Sequence, residues 1–233
     1  MKPVVREVRR VLRPNGSAVF ILQPNSSQVG RLRPWLYDFE CWAIHEWNVV
    51  QDVYWWNWSA LPTCGANPQG GLLRPSVKHC VWLGPPDCYR DQSAVLLPES
   101  DGNRRARKLA RHETYVRPSG LSVNEFASRQ AAVERGGVIP FNLIPCGNAR
   151  GSGGHPAATP LALCDFWVKY LCPVGGIVLD PFCGSGTTGV ACIRHLRRFV
   201  GIERDAKYLQ EIAQPRLTME CAMKLHSIGP FAA

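Results

Sequence analysis

The sequence predicts an α/β fold in which a parallel sheet carries a nucleotide-cofactor site near its C-terminal end. An apolar run at residues 176–179 leads into the glycine-rich segment Asp180-Pro-Phe-Cys-Gly-Ser-Gly-Thr-Thr-Gly189. A helix-like stretch and a second apolar run follow, ending at Glu203, after which only 30 residues remain. One strand–helix–strand unit cannot bury both faces of a parallel sheet. The other strands therefore come earlier in the chain, and the order of the fold is permuted.

The earlier elements follow from the spacing of apolar residues. Helical spacing predicts a helix at residues 4–12, and the apolar run 18–22 predicts a buried strand. Thr159 and Pro160 predict the start of a helix that ends before Pro173, with Thr159 as its capping side chain. The remaining predicted elements are a helix at 33–47, strands at 48–58 and 77–83, and one last helix around residues 208–213.

The glycine-rich segment has the features of a site for a nucleotide cofactor. Gly184 and Gly186 let the backbone approach a ligand closely, and a helix beginning near Thr187 offers unpaired N–H groups and a positive dipole end. Glu203 can accept hydrogen bonds from two ribose hydroxyls. Asp180 discriminates among cofactors, because a carboxylate at this place repels a pyrophosphate but pairs with an ammonium group. S-adenosylmethionine supplies such a group.

Other interpretations of this segment stay open at the level of the sequence. Residues 184–189 satisfy the dinucleotide fingerprint, which leaves a nicotinamide-dependent oxidoreductase as an alternative. No Gly-Lys-Ser/Thr follows the turn, and this disfavours a phosphate-binding loop. A strand–helix–strand unit with a tight turn and no ligand is a further alternative, although nothing structural demands both Asp180 and Glu203.

Four segments of the chain occur in the order typical of a known family. They are Glu7-Val-Arg-Arg-Val-Leu-Arg-Pro-Asn-Gly16-Ser-Ala-Val-Phe, Gly154-His-Pro-Ala-Ala-Thr-Pro160, the glycine-rich segment, and Gly201-Ile-Glu203. With them the chain resembles the β group of DNA amino-methyltransferases, which make N6-methyladenine or N4-methylcytosine. The resemblance implies a Rossmann-like methyltransferase fold, S-adenosylmethionine as the cofactor, and methyl transfer to an exocyclic amino group of DNA. If the family order holds, the strand at 18–22 is internal to the sheet. The cofactor-binding residues that it implies are Thr159, Pro160, Asp180, Pro181, Phe182, Gly184, Gly186, Thr187 and Glu203.

The chain departs from that family at the catalytic tetrapeptide. The family carries an Asp, Asn or Ser followed by Pro-Pro and an aromatic residue, some tens of residues before the helix that residues 4–12 resemble. Here Pro-Pro occurs once, in Gly84-Pro-Pro-Asp87, which lacks both the polar acceptor and the ring on which a flipped base stacks. We interpret it as a turn and assign no catalytic residue. The expectation is a chain truncated at its N-terminus, or a degenerate copy that binds cofactor and nucleic acid without turnover.

A target-recognition insert is expected where the apolar periodicity weakens. The predicted organisation is a substrate-side half at 1–89, the insert at 90–153, and a cofactor-binding half at 154–233. Basic residues are concentrated in the insert, and the whole chain has a net charge of +9 and a pI near 9.2. These features predict double-stranded DNA as the partner, with a solvated basic loop as the alternative. The candidate DNA-binding residues are Arg104, Arg105, Arg107, Lys108 and Arg111.

Composition disfavours a membrane protein, a secreted disulfide-linked protein and a metal-binding protein. No run reaches the ~18 apolar residues that span a bilayer, and the start carries no signal segment, so a cytoplasmic protein is expected. The family resemblance implies a role in restriction-modification. The ten cysteines are scattered without a Cys-x-x-Cys pair, so neither a metal site nor a disulfide framework is expected. Most of them are expected to be reduced and buried. The aromatic segment Trp55-Trp-Asn-Trp58 is expected to belong to the core rather than to stack on a base.

Overall fold

The computed structural model describes residues 1–61, 70–98, 135–148 and 159–228. Residues 1–90 and 142–233 form one compact unit, and residues 91–141 form a second. The described helices of the first unit are α1 (Lys2–Val11), α2 (Trp35–Glu46), α3 (Leu161–Leu171), α4 (Thr187–Arg194) and α5 (Gln214–Ile228), the last preceded by a π-helical turn at Tyr208–Ala213. The described strands are β1 (Ala18–Leu22), β2 (Ser26–Gln28), β3 (Arg31–Leu32), β4 (Val49–Gln51), β5 (Tyr54–Trp56), β6 (Val77–Leu83), β7 (Leu143–Pro145), β8 (Ile177–Asp180) and β9 (Arg198–Gly201).

Strand β6 organises the larger sheet. It pairs antiparallel with β1, from Ala18 opposite Leu83 to Leu22 opposite His79, and also with β4 and β5. Strand β7 pairs parallel with β5, which gives the order β1-β6-β5-β7 with β4 beside β6. Strands β1, β4, β5 and β7 therefore run in one direction, and their carboxyl ends share one edge of the sheet.

Helices cover both faces of this sheet. Alternate residues of β6 point in opposite directions, so each set of side chains packs against different helices. Cys80 and Trp82 of β6 lie in a cluster with Leu163 and Trp167 of α3. Val81 and Leu83 face the other way and are buried with Val5 of α1 and with Leu36 and Phe39 of α2. Burial of each large apolar side chain stabilises the fold by about 1.5–3 kcal/mol, so these two clusters hold the sheet between its helices.

The C-terminal part of the first unit is a strand–helix–strand arrangement. Strands β8 and β9 are parallel and in register from Ile177 opposite Arg198 to Asp180 opposite Gly201. Helix α4 connects them and is packed against α3 through Cys164, Val168, Ala191 and Cys192. Val178 of β8 and Phe199 of β9 contact the same cluster. Helix α3 thus contributes to the core of the larger sheet and to that of the β8–β9 pair.

The predicted α/β class is confirmed, as is the C-terminal position of the strand–turn–helix–strand unit. Two local predictions are wrong. Residues 48–58 form two strands rather than one, since β4 ends at Gln51 and β5 begins at Tyr54, and both pair antiparallel with β6. Thr159 does not cap α3, since Pro160 occupies the cap position without a side-chain hydrogen bond. The predicted last helix is present but longer than expected, because the π-helical residues 208–213 lead directly into α5.

The strand β1 was predicted to be internal to the sheet, and this is also wrong for the described residues, in which β6 is its one neighbour. The apolar sequence has another cause. Val19 and Ile21 are packed against the cluster shared with α3, whereas Phe20 and Leu22 are packed against the cluster shared with α1 and α2. An edge strand between two helical layers therefore needs apolar side chains on both faces.

The second unit is described at residues 91–98 and 135–141. Ser93–Val95 form a short 3-10 turn, and Leu97 and Val138 exchange two backbone hydrogen bonds of 2.9 Å in an antiparallel bridge. The predicted basic residues Arg104 to Arg111 lie outside the described residues, and the division at residues 89 and 153 stays a prediction. Among the helices that the structure describes, none has the length and apolar character to cross a membrane.

Candidate functional site

Asp180 ends strand β8 and organises the turn that follows. Its Oδ1 accepts the backbone N–H of Phe182 at 3.0 Å, and its Oδ2 accepts the hydroxyl of Thr188 at 2.7 Å. Thr188 is in the first turn of α4, so the carboxylate connects the end of the strand to the start of the helix. Each carboxylate oxygen can accept more than one hydrogen bond, and Asp180 therefore keeps acceptor capacity for a ligand.

Glu203 follows strand β9 and is held against the same turn. Its Oε2 accepts the N–H of Gly184 at 2.9 Å, and its Oε1 accepts the N–H of Asp205 at 2.9 Å. The backbone of Ile202 adds two bonds, because its N–H donates to the carbonyl of Asp180 at 2.9 Å and its carbonyl accepts the N–H of Cys183 at 3.0 Å. The two acids thus flank a single turn whose backbone is bonded to both strands.

The turn needs glycine at two positions. Gly184 and Gly186 have φ angles of 49° and 75°, in the left-handed region that favours glycine. Gly186 is the N-cap of α4, and the helix begins with Thr187. The first N–H groups of a helix have no partner within it and carry the positive end of the dipole. Asp180 is bonded to the first turn of α4 through Thr188, and Glu203 is bonded to the turn that precedes the helix through Gly184.

Two large apolar side chains beside the acids are exposed. Phe182 directly follows the Asp180-Pro181 pair and is 63% exposed, and Ile202 directly precedes Glu203 and is 54% exposed. Apolar surface next to hydrogen-bond acceptors is the composition that binds a ligand with a flat ring and a polar sugar. The geometry thus brings together Asp180, Phe182, Gly184 and Glu203.

The predicted residues Thr159 and Pro160 lie at the start of α3. Pro160 is buried, and its carbonyl accepts the N–H of Cys164 at 3.2 Å. The Sγ atom of Cys164 lies 3.9 Å from Oγ1 of Thr188, the residue that donates to Asp180. Burial raises the pKa of Cys164 to about 12, so this group stays a neutral thiol. Pro160 is therefore one helical turn away from the Asp180 network, while Thr159 has no described side-chain contact with it.

Thr187 was predicted to bind cofactor, but its side chain is directed elsewhere. It is 6% exposed, and its Oγ1 accepts a hydrogen bond from Arg216 at 3.0 Å. A contact of Thr187 with a ligand would thus have to involve its backbone N–H. The tryptophans of the aromatic segment at residues 55–58 differ in burial: Trp55 is buried in the core, whereas Trp56 and Trp58 are 42% and 55% exposed.

Comparison with known proteins identifies the family. The model of the family described as DNA methylase, N6_N4_Mtase, matches residues 1–214, which is most of the chain. The chain belongs to this family. The order of its segments, with the glycine-rich turn near the C-terminus, is therefore that of a DNA methylase.

Individual DNA methylases are similar over large parts of the chain. The type II methyltransferase M.PvuII of Proteus hauseri is 28% identical over 181 residues, which are 69% of this chain and 52% of that protein. The chain thus spans about half the length of this relative. The solved structure of the PvuII DNA methyltransferase (cytosine-N4-specific) superposes with a TM-score of 0.66 at 20% identity, covering 96% of this chain and 74% of that one. The M1.HpyAVI–SAM complex gives 0.53 at 22% identity, with coverages of 91% and 79%. These two structures confirm the Rossmann-like methyltransferase fold.

Three residues of this DNA methylase site escaped the sequence analysis. The contact of Thr188 with Asp180 could have been predicted, because a hydroxyl in the first turn of the predicted helix can reach an acid at the end of the preceding strand. Ile202 was available as an apolar residue directly before Glu203. Arg216 carried no signal, because its contact with the turn spans about 30 residues and depends on how α5 is rotated.

Proposed function

We propose that this chain is a methyltransferase domain that moves a methyl group from S-adenosylmethionine to the exocyclic amino group of a DNA base. The observation that carries the proposal is the placement of two carboxylates, Asp180 and Glu203, on either side of one glycine turn at the start of a helix. This arrangement occurs in a chain that belongs to the DNA methylase family. The fold alone would not decide the function, because similar folds serve many reactions.

The described residues fit the proposed cofactor group by group. The two oxygens of Glu203 are oriented by separate N–H donors, and a carboxylate in this orientation is a suitable acceptor for the two ribose hydroxyls. Asp180 offers a negative charge for the ammonium group of the methionine half. Phe182 and Ile202 expose apolar surface for the adenine ring. Pro160, with Thr159, is proposed to border the methionine end, and the residues of the turn that contact the ligand include Pro181, Gly184 and Gly186.

The bound cofactor would supply an activated methyl group on a positively charged sulfur. The amino nitrogen of the base attacks the methyl carbon in line, the carbon–sulfur bond breaks with its electron pair going to sulfur, and the nitrogen loses a proton. The products are the methylated base and S-adenosylhomocysteine. The target is N6 of adenine or N4 of cytosine, and the solved PvuII enzyme, described as cytosine-N4-specific, supports the second of these.

Double-stranded DNA is proposed as the partner because of charge. The chain carries a net charge of +9, and a basic run includes the proposed phosphate contacts Arg104, Arg105, Arg107, Lys108 and Arg111. If five net charges meet phosphates, the logarithm of the affinity falls with the logarithm of salt concentration with a slope of about −4 to −5.

One observation supports a second candidate, a protein that binds cofactor and DNA without turnover. The residue directly before the single Pro-Pro pair is Gly84 rather than Asp, Asn or Ser, and the pair forms a turn after β6, closed by a 3.0 Å bond from the N–H of Cys88 to the carbonyl of Pro85. The first position of this turn therefore has no side-chain acceptor for the amino hydrogens of a flipped base. A nicotinamide-dependent oxidoreductase loses its support because the chain belongs to the DNA methylases.

A transfer assay separates these candidates. The chain is incubated with unmethylated duplex DNA and S-adenosylmethionine labelled on the methyl group, and the DNA is digested and its nucleosides are identified by mass spectrometry. Labelled N4-methylcytosine or N6-methyladenine from the wild type, and none from the Asp180→Ala variant, supports the transferase. Saturable cofactor binding without labelled product supports the binding protein. Neither binding nor product contradicts both.

A further inference from the structure

Arg216, in the first turn of α5, contacts the glycine turn that precedes α4. Its Nη1 atom donates to the carbonyl of Ser185 at 3.0 Å, to Oγ of Ser185 at 3.3 Å and to Oγ1 of Thr187 at 3.0 Å. One side chain thus bonds to three acceptors on two residues that stand on either side of Gly186. None of the sequence motifs includes it.

These acceptors depend on Arg216 because water has little access to them. Ser185 is 3% exposed and Thr187 is 6% exposed. A buried acceptor that loses its donor destabilises the conformation that buried it. Gly184 and Gly186 have no side chain to restrict the backbone, so the turn can reach other conformations more easily than a chain of ordinary residues. A planar, permanently charged guanidinium on a helix is a suitable external brace for such a turn.

The rotation of α5 that presents Arg216 depends on the preceding π-helical turn. A π turn inserts one residue relative to an α-helix, and one residue corresponds to a rotation of about 100°. The turn at Tyr208–Ala213 directly precedes α5, and Ala213 is fully buried. A Cβ atom on Gly186 would lie 3.4 Å from Cβ of Ala213 and 3.5 Å from Leu217, so this end of α5 lies against the glycine turn.

We infer that Arg216 is a positioning residue that holds the glycine turn in the shape that binds the cofactor. This inference rests on the proposed function for the identity of the ligand. The stabilisation of the turn by Arg216 does not depend on a ligand and can be measured on the protein alone. Arg216 acts through Ser185 and Thr187, and these in turn fix the segment whose Gly184 N–H bonds to Glu203.

Two readouts on the full chain test this, with a matched control on the same pair of helices. Arg194 of α4 forms a bidentate pair with Glu220 of α5, at 2.6 and 3.1 Å, and does not touch the turn. Hydrogen–deuterium exchange of the peptide covering residues 181–189, without ligand, is measured for Arg216→Ala and Arg194→Ala. Calorimetry then gives the affinity of each for S-adenosylhomocysteine. Arg216→Lys, which keeps the charge and a donor, is measured as the conservative variant.

The expected result is faster exchange of the turn in Arg216→Ala only, with affinity weakened at least about tenfold and partly recovered in Arg216→Lys. Arg194→Ala is expected to keep both properties. Unchanged exchange of the turn in Arg216→Ala overturns the inference. Equal increases in exchange and equal losses of affinity in Arg216→Ala and Arg194→Ala also overturn it, because both effects would then come from weaker packing of α5 on α4 in general. If exchange responds as expected but the wild type does not bind S-adenosylhomocysteine, the brace stands and the proposed cofactor is wrong.

Discussion

Glu203 accepts the backbone N–H of Gly184 through Oε2 at 2.9 Å, so the acid after β9 is bonded to the turn after β8. Its Oε1 is held separately by the N–H of Asp205. The carboxylate is therefore oriented before any ligand arrives, and its rotamer entropy need not be lost on binding. This orientation distinguishes a prepared binding site from an acid that merely lies at the end of a strand.

Glu203→Ala is expected to weaken binding of S-adenosylhomocysteine at least tenfold, which corresponds to about 1.4 kcal/mol. The variant removes both proposed ribose acceptors and the bond to Gly184. Glu203→Gln keeps one oxygen acceptor and is expected to lose less. Isothermal titration calorimetry measures both, with Asp205→Ala as the control, because the one hydrogen bond of its exposed side chain among the described residues is with the nearby N–H of Lys207. Equal affinity of Glu203→Ala and the wild type would refute the ribose assignment.

Asp180→Asn is expected to affect ligands with a methionine half selectively. The amide has the same shape and keeps an oxygen acceptor, so the loss of charge acts mainly on the ammonium group. S-adenosylhomocysteine should bind at least about tenfold more weakly, whereas 5′-methylthioadenosine, which lacks the amino acid, should change little. Competition binding of the two ligands provides the measurement. If both ligands weakened equally, Asp180 would have only the structural role of holding Phe182 and Thr188.

Gly189→Ala tests how closely α4 is packed. At an open helical position this change stabilises a protein by roughly 0.5–1 kcal/mol. Here the added Cβ would lie 2.6 Å from Leu217 and 2.8 Å from Phe199. Overpacking costs about 1–3 kcal/mol, so we expect the melting temperature to fall by several degrees. Calorimetric melting of Gly189→Ala and of Gly189→Ala with Leu217→Ala checks this, since the double variant relieves one contact. A rise in the melting temperature of the single variant would show that the packing is looser.

Thiol labelling tests the burial of the cysteines. Of the described cysteines, Cys41 and Cys221 are exposed, while burial raises the pKa of Cys80, Cys164 and Cys192 to about 12. At pH 8 the buried thiols are almost entirely protonated, and the thiolate is the reactive form. A brief maleimide pulse followed by peptide mass spectrometry should label Cys41 and Cys221 first and the other three only in denaturant. Early labelling of Cys164 would show that α3 and α4 separate in the native protein.

The sequence predicted those parts of the site that are local in the chain. Asp180, the two glycines and the start of α4 lie within one short segment, and Glu203 follows from the pattern of the next strand. It could not predict Arg216, because its approach to Ser185 depends on the packing and rotation of α5. The family order implied that β1 is internal to the sheet, and its apolar pattern did not exclude this, because a strand covered by helices on both faces has the same pattern at an edge as in the centre.

Titration calorimetry of the purified chain with S-adenosylhomocysteine and, separately, with NAD tests the central claim most directly. The arrangement of Asp180 and Glu203 around one turn predicts saturable binding of S-adenosylhomocysteine, with no detectable binding of NAD, whose pyrophosphate would meet the Asp180 carboxylate. Binding of NAD alone, or of neither ligand, would contradict the assignment of this turn as a site for S-adenosylmethionine.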